Sequence, residues 1–387
     1  MLRVRARARP GHPWVFANEI IDPPVAALPP GEAVEVIDPS GRVLGRGYAN
    51  PHSLITIRIV TRGESDLDSP KLYAERLLAA RALRERVLPG RASYRLCAGE
   101  ADGLPGLLVD KYGDVLVAQI TTLGMDRRKD LLAQALQDAI GPRGAVLRAD
   151  VGARALEGLE LGESSVWFGD VPERVLFDEN GVRFSADPLS GQKTGFFFDQ
   201  ADNRLFGASR CKGQRVLDVY AHTGAWALHA LVAGATDAVA IDASGPACQL
   251  IRENAALNGV SDRLRVVQED ARVAMDALLE AGERFDVVCI DPPAFAKSRK
   301  KAGIALGAYK AVNAQAARLV KPGGLLFSSS CSHHVLPERF EEAVVAGIRQ
   351  AGRGAVLVRR GGQAPDHPIL PGVPETEYLK HLVFALR

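Results

Sequence analysis

The stretch VLDVYAHTGAWALHALVAGATDAVAID, residues 216–242, has the pattern of a strand, a helix and a second strand. VLDVY (216–220) and AVAID (238–242) are short apolar runs, and AWALHALVAG (225–234) between them is an apolar helical segment that ends in glycine. Strands that alternate with helices predict a parallel sheet covered by helices. This stretch therefore predicts a doubly wound α/β fold.

The same alternation continues through the C-terminal part of the chain. Further strands are predicted at LRVVQ (264–268), FDVVCID (285–291) and GGLLFSSS (323–330), each preceded by a helical segment. The alternation of strands and helices begins near residue 181. We therefore assign residues 181–387 to one Rossmann-like domain.

Two smaller domains are predicted before it. Residues 1–70 contain short β-like runs broken by Pro, Gly and Asn, which is typical of a small β-barrel or sandwich. GESDLDS (63–69) is polar and without periodicity, so it is interpreted as a linker. Residues 71–180 mix strands with helices predicted over 69–87 and 126–140, which indicates a small α+β domain.

Composition narrows the class of protein. The chain has 387 residues, 47% hydrophobic and 24% charged, as in a soluble globular protein, and no stretch has the length and apolarity of a membrane span or a signal peptide. Five scattered cysteines without a CxxC pair predict reduced thiols in a cytoplasmic protein. A formal net charge of +2 means that nucleic-acid contacts would depend on local patches. Exposed strand edges favour a homodimer.

Acidic residues stand where four predicted strands end, and ligands of open α/β sheets bind at that edge. They are Asp218, Asp242, Asp270 and Asp291. Any one of the first three could simply cap the following helix. Together with the DPPAF turn (291–295), they favour an adenosyl cofactor, with Asp242 on the ribose hydroxyls and Asp270 near the adenine. Because Gly224 stands alone instead of in a GxGxxG loop, a cofactor without pyrophosphate, S-adenosylmethionine, fits best.

The segment LLFSSSCSHH (325–334) places Cys331 where an apolar strand meets a polar turn. The thiol could be a half-buried apolar group, a metal ligand with His333 and His334, or a nucleophile. Zinc would need another ligand at proper spacing, and no metal site is predicted. Cys248 and Cys289, which lie inside apolar elements, fit the passive role better.

The chain resembles a known family in these motifs. LDVYAHTGAW, AIDAS, IRENAALNG, QED and CIDPPAFAK, in this order and spacing, are similar to class I S-adenosylmethionine-dependent methyltransferases. Five further segments resemble one subgroup, the bacterial 23S ribosomal RNA cytosine-5 methyltransferases with an N-terminal PUA domain. These segments are GHPWVFANEI (11–20), YRLCAGEADGLPGLLVDKYG (94–113), GQKTGFFFDQADNR (191–204), CSHH (331–334) and DHPILPGVPETEYLK (366–380).

The resemblance implies a reaction and a set of site residues. The enzyme would methylate C5 of a cytidine in large-subunit ribosomal RNA, with Cys331 adding to C6 and Asp291 contacting the ring. Because C5 of cytosine is a poor nucleophile, addition of a thiolate at C6 is needed to activate it. The cofactor residues would be Lys193, Thr194, Asp199, Asp218, Tyr220, His222, Thr223, Gly224, Asp242, Ala243, Asp270, Ala271 and Asp291.

Basic residues supply candidate RNA contacts. Arg3, Arg5, Arg7 and Arg9 occupy alternate positions, which would share one face of a strand. Lys297, Arg299, Lys300 and Lys301 follow the DPPAF turn directly, and Phe295 within it could stack on a base. A solvated loop is the alternative for each charge run. Of Phe196, Phe197 and Phe198, two are expected in the core.

Other functions fit parts of the pattern. Asp-Pro-Pro-aromatic turns also occur in methyltransferases that act on exocyclic amines, in which Phe295 would stack the base and Cys331 would be incidental. The chain could also be a PUA-containing RNA-binding protein with an inactive methyltransferase fold, or a methyltransferase for small molecules. Cys331 in its polar turn and the acidic strand ends favour the cytosine-5 reaction.

Overall fold

The computed structural model describes residues 1–9, 11–191, 194–296 and 298–387, and the side chain of Arg299 is also outside the description. The chain divides into two compact units. The first contains residues 1–177, 186–198 and 365–376, and the second contains residues 178–185, 199–364 and 377–387. The predicted division into three domains at residues 70 and 180 stays a prediction.

The first unit contains two of the four sheets formed by the described residues. A six-stranded sheet has the order β2-β6-β5-β4-β1-β3, and a five-stranded sheet has the order β11-β10-β9-β8-β7. The strands are β1 Leu2–Ala6, β2 Trp14–Val15, β3 Ile20–Asp22, β4 Ala33–Ile37, β5 Val43–Ala49, β6 Ile57–Thr61, β7 Tyr94–Ala98, β8 Leu107–Tyr112, β9 Val115–Ile120, β10 Gly144–Arg148 and β11 Ser165–Gly169. The helices are α1 Pro70–Val87, α2 Leu123–Asp126 and α3 Lys129–Ile140.

The segment interpreted as a linker, GESDLDS (63–69), is exposed except at Leu67 and Ser69, and its role as a linker stays a prediction. Leu67 in GESDLDS is fully buried, and its carbonyl accepts hydrogen bonds from the hydroxyls of Tyr48 and Tyr73 at 3.1 and 2.6 Å. Tyr48 and Val60, from the six-stranded sheet, share one apolar cluster with residues of the five-stranded sheet. Leu67, the one large apolar residue of this polar segment, therefore anchors it to the core.

The predicted helix over 126–140 begins later than expected. Helix α3 starts at Lys129, because the backbone of Arg128 is not helical and its side chain turns inward. The buried guanidinium donates to the carbonyls of Gly31 and Gly124 and lies 4.1 Å from the centre of the Tyr48 ring. These contacts outweigh the helical periodicity of the sequence.

A short hairpin, β12 Val175–Glu179 and β13 Val182–Ala186, precedes the main sheet of the second unit. Asn180 and Gly181 form its two-residue turn with φ of +53° and +84°. Asn-Gly is the preferred pair for such a turn because both positions need positive φ. Residues 178–185 of the hairpin belong to the second unit.

The second unit contains a seven-stranded sheet in the order β16-β15-β14-β17-β18-β20-β19. Strands β14 to β18 are mutually parallel, and β20 is antiparallel to both β18 and β19. The strands are β14 Arg215–Val219, β15 Asp237–Asp242, β16 Leu264–Gln268, β17 Phe285–Ile290, β18 Val320–Ser330, β19 Ala355–Gly361 and β20 Lys380–Leu386. The helices are α4 Ala201–Ala208, α5 Ala225–Val232, α6 Gly245–Leu257, α7 Ala271–Glu280, α8 Ala302–Leu319 and α9 Pro337–Gln350.

The five parallel strands confirm the predicted α/β class and its strand positions. The strand order reverses between β14 and β17, and a ligand crevice forms outside the carboxyl ends of the strands at such a point. Val219 pairs with Ile290, so Tyr220 and Asp291 leave the sheet side by side. Within the described residues, no helix combines the length and apolar character needed to cross a membrane.

Candidate active site

The turn after β14 has an unusual backbone. Tyr220, His222 and Gly224 all have positive φ, at +67°, +52° and +75°. Such values are costly for residues other than glycine and cluster at functional sites. The turn is fixed by the amide of His222, which donates to Asp242 Oδ2 at 2.9 Å, and by the carbonyl of Thr223, which accepts from Asn254 at 3.1 Å.

Asp242, at the end of β15, is held from two sides. Its second carboxylate oxygen accepts from the amide of Ser244 at 2.9 Å, and the side chain is half-buried. Both contacts come from backbone amides, which fix the carboxylate at the carboxyl end of β15. Ala243, which follows it, is exposed.

Asp218 is a fully buried carboxylate at the reversal point. Its Oδ2 accepts from the amide of Ala227 in the first turn of α5 at 3.0 Å, and its Oδ1 has no hydrogen-bond partner among the described residues. Burial raises the pKa of Asp218 to about 7, against the Ala227 hydrogen bond, and the charges of Asp291 and Asp242 raise it further. Both charges act on Asp218 because the three carboxylates stand at the carboxyl ends of neighbouring parallel strands, β15, β14 and β17.

Asp291 begins the DPPAF turn and is gripped by two side chains. Its Oδ2 accepts from Gln200 Nε2 at 3.0 Å and from Trp226 Nε1 at 3.3 Å. Burial raises the pKa of Asp291 to about 6, and the charge of Asp199 adds to this effect. A carboxyl with this pKa holds its proton in a useful fraction of molecules near neutral pH.

Asp270 takes the role of a helix cap. Its side chain accepts from the amides of Arg272 and Val273 at 2.9 and 3.3 Å, at the start of α7. Its charge also raises the pKa of the half-buried Tyr220, although burial is the larger cause. Ala271, the first residue of α7, is buried. Asp270 therefore caps α7, and its predicted adenine contact stays a prediction.

The turn that carries Cys331 is built from buried serines and a tyrosine. The Tyr309 hydroxyl lies 2.8 Å from Ser330 Oγ and 2.9 Å from Ser332 Oγ. Ser332 Oγ also accepts from the amide of Ala296 at 3.3 Å, which ties this turn to the DPPAF turn. Cys331 itself is half-buried, whereas the other four cysteines are buried, among them Cys248 and Cys289, for which a passive role is predicted.

The remaining predicted cofactor residues are divided between the two units. Asp199 lies in the second unit, where its Oδ2 accepts from the Tyr378 hydroxyl at 2.7 Å and its buried Oδ1 has no hydrogen-bond partner within the described part of the chain. Thr194 lies in the first unit, and its hydroxyl donates to Asp110. Lys193 lies outside the described residues. Phe196 and Phe198 are buried as predicted.

The predicted RNA contacts are mostly exposed. Only Arg3 and Arg5 lie on β1, and the alternation does not extend as a strand to Arg7 and Arg9. All four arginines are exposed, while Val4 and Ala6 between them are buried. Lys300 and Lys301 are exposed just before α8, whereas Lys297 and the side chain of Arg299 lie outside the described residues. The half-buried Phe295 ring packs 4.8 Å from Tyr309.

Among the described residues, no group of three or more His, Cys, Asp or Glu side chains is arranged to hold a metal ion. His333 and His334, next to Cys331, are both exposed, and the ring of His333 lies 5.3 Å from that of Tyr378.

Two family models match the chain. Residues 3–62 match the model described as a PUA-like domain, and residues 189–359 match the one described as conserved hypothetical protein 95. The first match covers β1 to β6. The second covers most of the seven-stranded sheet and its acidic edge, which is formed by Asp218, Asp242 and Asp291 at the carboxyl ends of β14, β15 and β17.

Curated relatives match over nearly the whole chain. "Ribosomal RNA large subunit methyltransferase I" of Shewanella denitrificans is 36% identical over 99% of both chains. The protein of the same name from Photobacterium profundum is 37% identical, over 95% of this chain and 94% of the relative. The chain belongs to the ribosomal RNA large subunit methyltransferase I family. The fold of this family member is the class I methyltransferase fold with an N-terminal PUA-like domain, as predicted.

Solved structures support the same fold. A protein from Streptococcus mutans, presented as a SAM-dependent methyltransferase, has a TM-score of 0.84 at 17% identity, with both chains fully covered. A methyltransferase structure complexed with SAH has a TM-score of 0.85, also at 17% identity and full coverage. At this identity the likeness concerns the fold.

Several residues of the site in this family member were not among the predicted site residues, although Gln200, Trp226 and Lys380 lie in motifs that carry the family resemblance. Gln200 and Trp226 hold Asp291, and the Trp226 ring stacks 5.4 Å from His381 on β20. Tyr309 and Lys380 flank the Cys331 turn. A further signal is LKHLVFAL (379–386), in which two ionisable residues stand in an apolar run and are therefore expected to be buried.

Proposed function

We propose that this family member transfers the methyl group of S-adenosylmethionine to C5 of a cytidine in large-subunit ribosomal RNA, with Cys331 as the covalent nucleophile. Family membership supports the methyltransferase and the RNA class. The observation that carries the cytosine-5 assignment is the position of Cys331. Of the five cysteines it alone is not buried, and it stands at the carboxyl end of β18, tied through Ser332 to the turn of Asp291.

The acidic edge fits the cofactor. S-adenosylmethionine carries a sulfonium and an ammonium group, and converging carboxylates favour such positive charges. Asp218 and Asp199 each keep one buried carboxylate oxygen without a hydrogen-bond partner in the described chain. Asp242, fixed by two amides, would hold the ribose hydroxyls. When bound, the cofactor supplies an electrophilic methyl group.

The residues of the chain then have defined tasks. The thiolate of Cys331 forms a bond to C6 of the cytosine, which places electron density on C5. The carboxyl of Asp291, with its raised pKa, donates a proton to N3 and so accepts the charge that develops on the ring. After C5 has taken the methyl group, the C5 proton passes to a water molecule, the C6–S bond breaks to release the thiolate of Cys331, and the N3 proton returns to the carboxylate of Asp291.

RNA would reach the site as an unpaired or flipped-out nucleotide. We place phosphate contacts at the exposed Arg3, Arg5, Lys300 and Lys301, and also at Arg7, Arg9, Lys297 and Arg299. Phe295 would contact the base. The reaction belongs to the cytoplasm, where ribosomal RNA is processed, and the homodimer stays a prediction.

A trapping experiment tests the covalent step. RNA that contains 5-fluorocytidine keeps a fluorine where the departing proton should be, so the adduct cannot resolve. Wild-type enzyme, labelled fluorinated RNA and S-adenosylmethionine should give a complex that survives denaturing electrophoresis. Cys331→Ala should give none, whereas the matched control Cys289→Ala, in the neighbouring strand, should still form the complex.

The product separates the alternatives. Wild type should yield 5-methylcytidine on unmodified large-subunit RNA, as measured by mass spectrometry of the nucleosides. An N-methylated base, or a trapped complex with Cys331→Ala, would overturn the covalent cytosine-5 mechanism in favour of the amine-methylating alternative. Absence of cofactor binding by wild type would instead favour an inactive RNA-binding protein.

A further inference from the structure

Lys380 is a buried lysine beside the Cys331 turn. It is the first residue of β20 and lies opposite Ser330, the last residue of β18, in the antiparallel ladder. Only 8% of its surface is exposed. Its Nζ donates to the carbonyl of Ser332 at 2.7 Å and to the carbonyl of Tyr378 at 2.8 Å. Two carbonyl acceptors favour the protonated ammonium form.

We propose that the ammonium group of Lys380 stabilises the thiolate of Cys331 and that Lys380 is therefore a positioning residue for the nucleophile. The inference rests on the proposed function, in which Cys331 acts as a thiolate. An ammonium group has three N–H donors, and the two carbonyls use two of them. Nζ makes no other hydrogen bond to a described residue, which leaves the third donor for the thiolate on the residue that directly precedes Ser332.

The charges of the two groups are coupled. Burial lowers the pKa of Lys380 to about 8, and the charge of Cys331 opposes this effect, as does that of Glu377 to a lesser degree. The coupling is mutual, so the ammonium of Lys380 must also favour the thiolate of Cys331. The same thiolate charge contributes to the raised pKa of Tyr309, whose main cause is burial.

The other charged groups around Lys380 come from several elements. His333 lies on the turn of Cys331, and Asp199 binds the hydroxyl of Tyr378. A cavity of about 870 Å³ borders Lys380 on the side of α9 and β19. Its charged lining residues are Glu338, Glu341, Glu342, Arg349, Arg360 and Glu377. Glu341 is paired with Arg360 at 2.8 Å.

The test is the pH profile of Cys331 alkylation by iodoacetamide in the absence of RNA. The thiol loses its proton to solvent, the thiolate forms a C–S bond, and iodide leaves. The cysteines other than Cys331 are buried, and mass spectrometry of the Cys331 peptide isolates its rate. In Lys380→Gln, which keeps a donor but lacks the charge, the inflection should rise by about 1 pH unit.

The plateau rate at high pH gives a second signature. Because the pKa of Lys380 is about 8, its ammonium is lost on the high-pH plateau, so the plateau rates of wild type and Lys380→Gln should converge. Lys380→Arg keeps the charge and should restore the wild-type inflection. The matched control Lys321→Gln, at the other end of β18, should leave the profile unchanged.

An unchanged inflection in Lys380→Gln would overturn the inference. A purely structural effect, such as opening of the turn, would raise the rate at every pH without moving the inflection, and would overturn it as well. The result is independent of the trapping experiment. Loss of the trapped complex in Cys331→Ala with no shift in Lys380→Gln would keep the proposed function and reject the role of Lys380.

Discussion

At the scale of single residues, the site contains groups whose burial lowers the folding stability of the protein. Asp218 is fully buried, and only one of its carboxylate oxygens has a hydrogen-bond partner in the described structure. A buried carboxylate without full compensation disfavours folding in its charged form. Burial of such a group is useful only if a bound ligand interacts with it. A cationic cofactor would supply the missing partner.

Replacement of this carboxylate should change how stability depends on pH. The folded chain holds the proton of Asp218 up to about pH 7, while the unfolded chain loses it near the ordinary value of 3.8. The stability that this difference provides is complete at low pH and is lost as the pH rises from about 4 to about 7. Asp218→Asn should therefore gain on wild type across this window, on the order of 4 kcal/mol at about 1.4 kcal/mol per pKa unit.

Urea unfolding at pH 4 and pH 8 measures this difference. The exposed Asp276→Asn, on α7, is the matched control and should give the wild-type dependence. A constant difference between Asp218→Asn and wild type at both pH values would show that Asp218 ionises normally in the folded protein.

At the scale of elements, the turn after β14 combines an unusual backbone conformation with close packing against α6. Gly224 has a φ of +75°, and an added Cβ would lie 2.9 Å from Ile251 Cγ2 on α6. A side chain at this position therefore meets both an unfavourable φ and a neighbour in the packed core. Close packing of α6 against the turn depends on the glycine.

Gly224→Ala should destabilise the protein by more than its backbone conformation alone requires. Gly259 provides the control, because its φ is +65° and a Cβ there would have nothing within 4 Å. Gly259→Ala should cost about 1 kcal/mol, the penalty for a left-handed residue. Gly224→Ala should cost at least about 1 kcal/mol more, from overpacking. Thermal unfolding compares the two, and calorimetry with S-adenosylhomocysteine should show weaker binding only for Gly224→Ala.

The sequence predicted those parts of the site that depend on strand ends. Asp218, Asp242 and Asp291 were predictable because apolar strands mark their own boundaries, and parallel strands bring their carboxyl ends to one edge. The contacts of Lys380 and Trp226 were not predictable, because they arise from pairing between β18 and β20 and from packing over long sequence distances. Arg128 was misplaced because its buried contacts oppose the local helical pattern.

At the scale of the whole molecule, the first unit joins the PUA-like sheet to the α+β part through buried polar contacts. Glu157 is 3% exposed and accepts from Arg58 and from Asn50 on the six-stranded sheet side, both at 2.7 Å. The amide of Leu123 also donates to it, at 3.4 Å. Because these contacts join the two sheets of the first unit, we expect the two sheets to unfold together.

Removal of Glu157 tests this cooperation and with it the domain boundary predicted at residue 70. Glu157→Ala leaves the charge of Arg58 poorly compensated, which should cost about 3 kcal/mol. Hydrogen exchange followed by mass spectrometry should then show faster exchange in both β4–β6 and β7–β10, with β14–β18 unaffected. The exposed Glu163→Ala should leave all three regions as in wild type. If the faster exchange stops at residue 70, the PUA-like sheet is an independent folding domain, and the cooperation inferred from Glu157 is wrong.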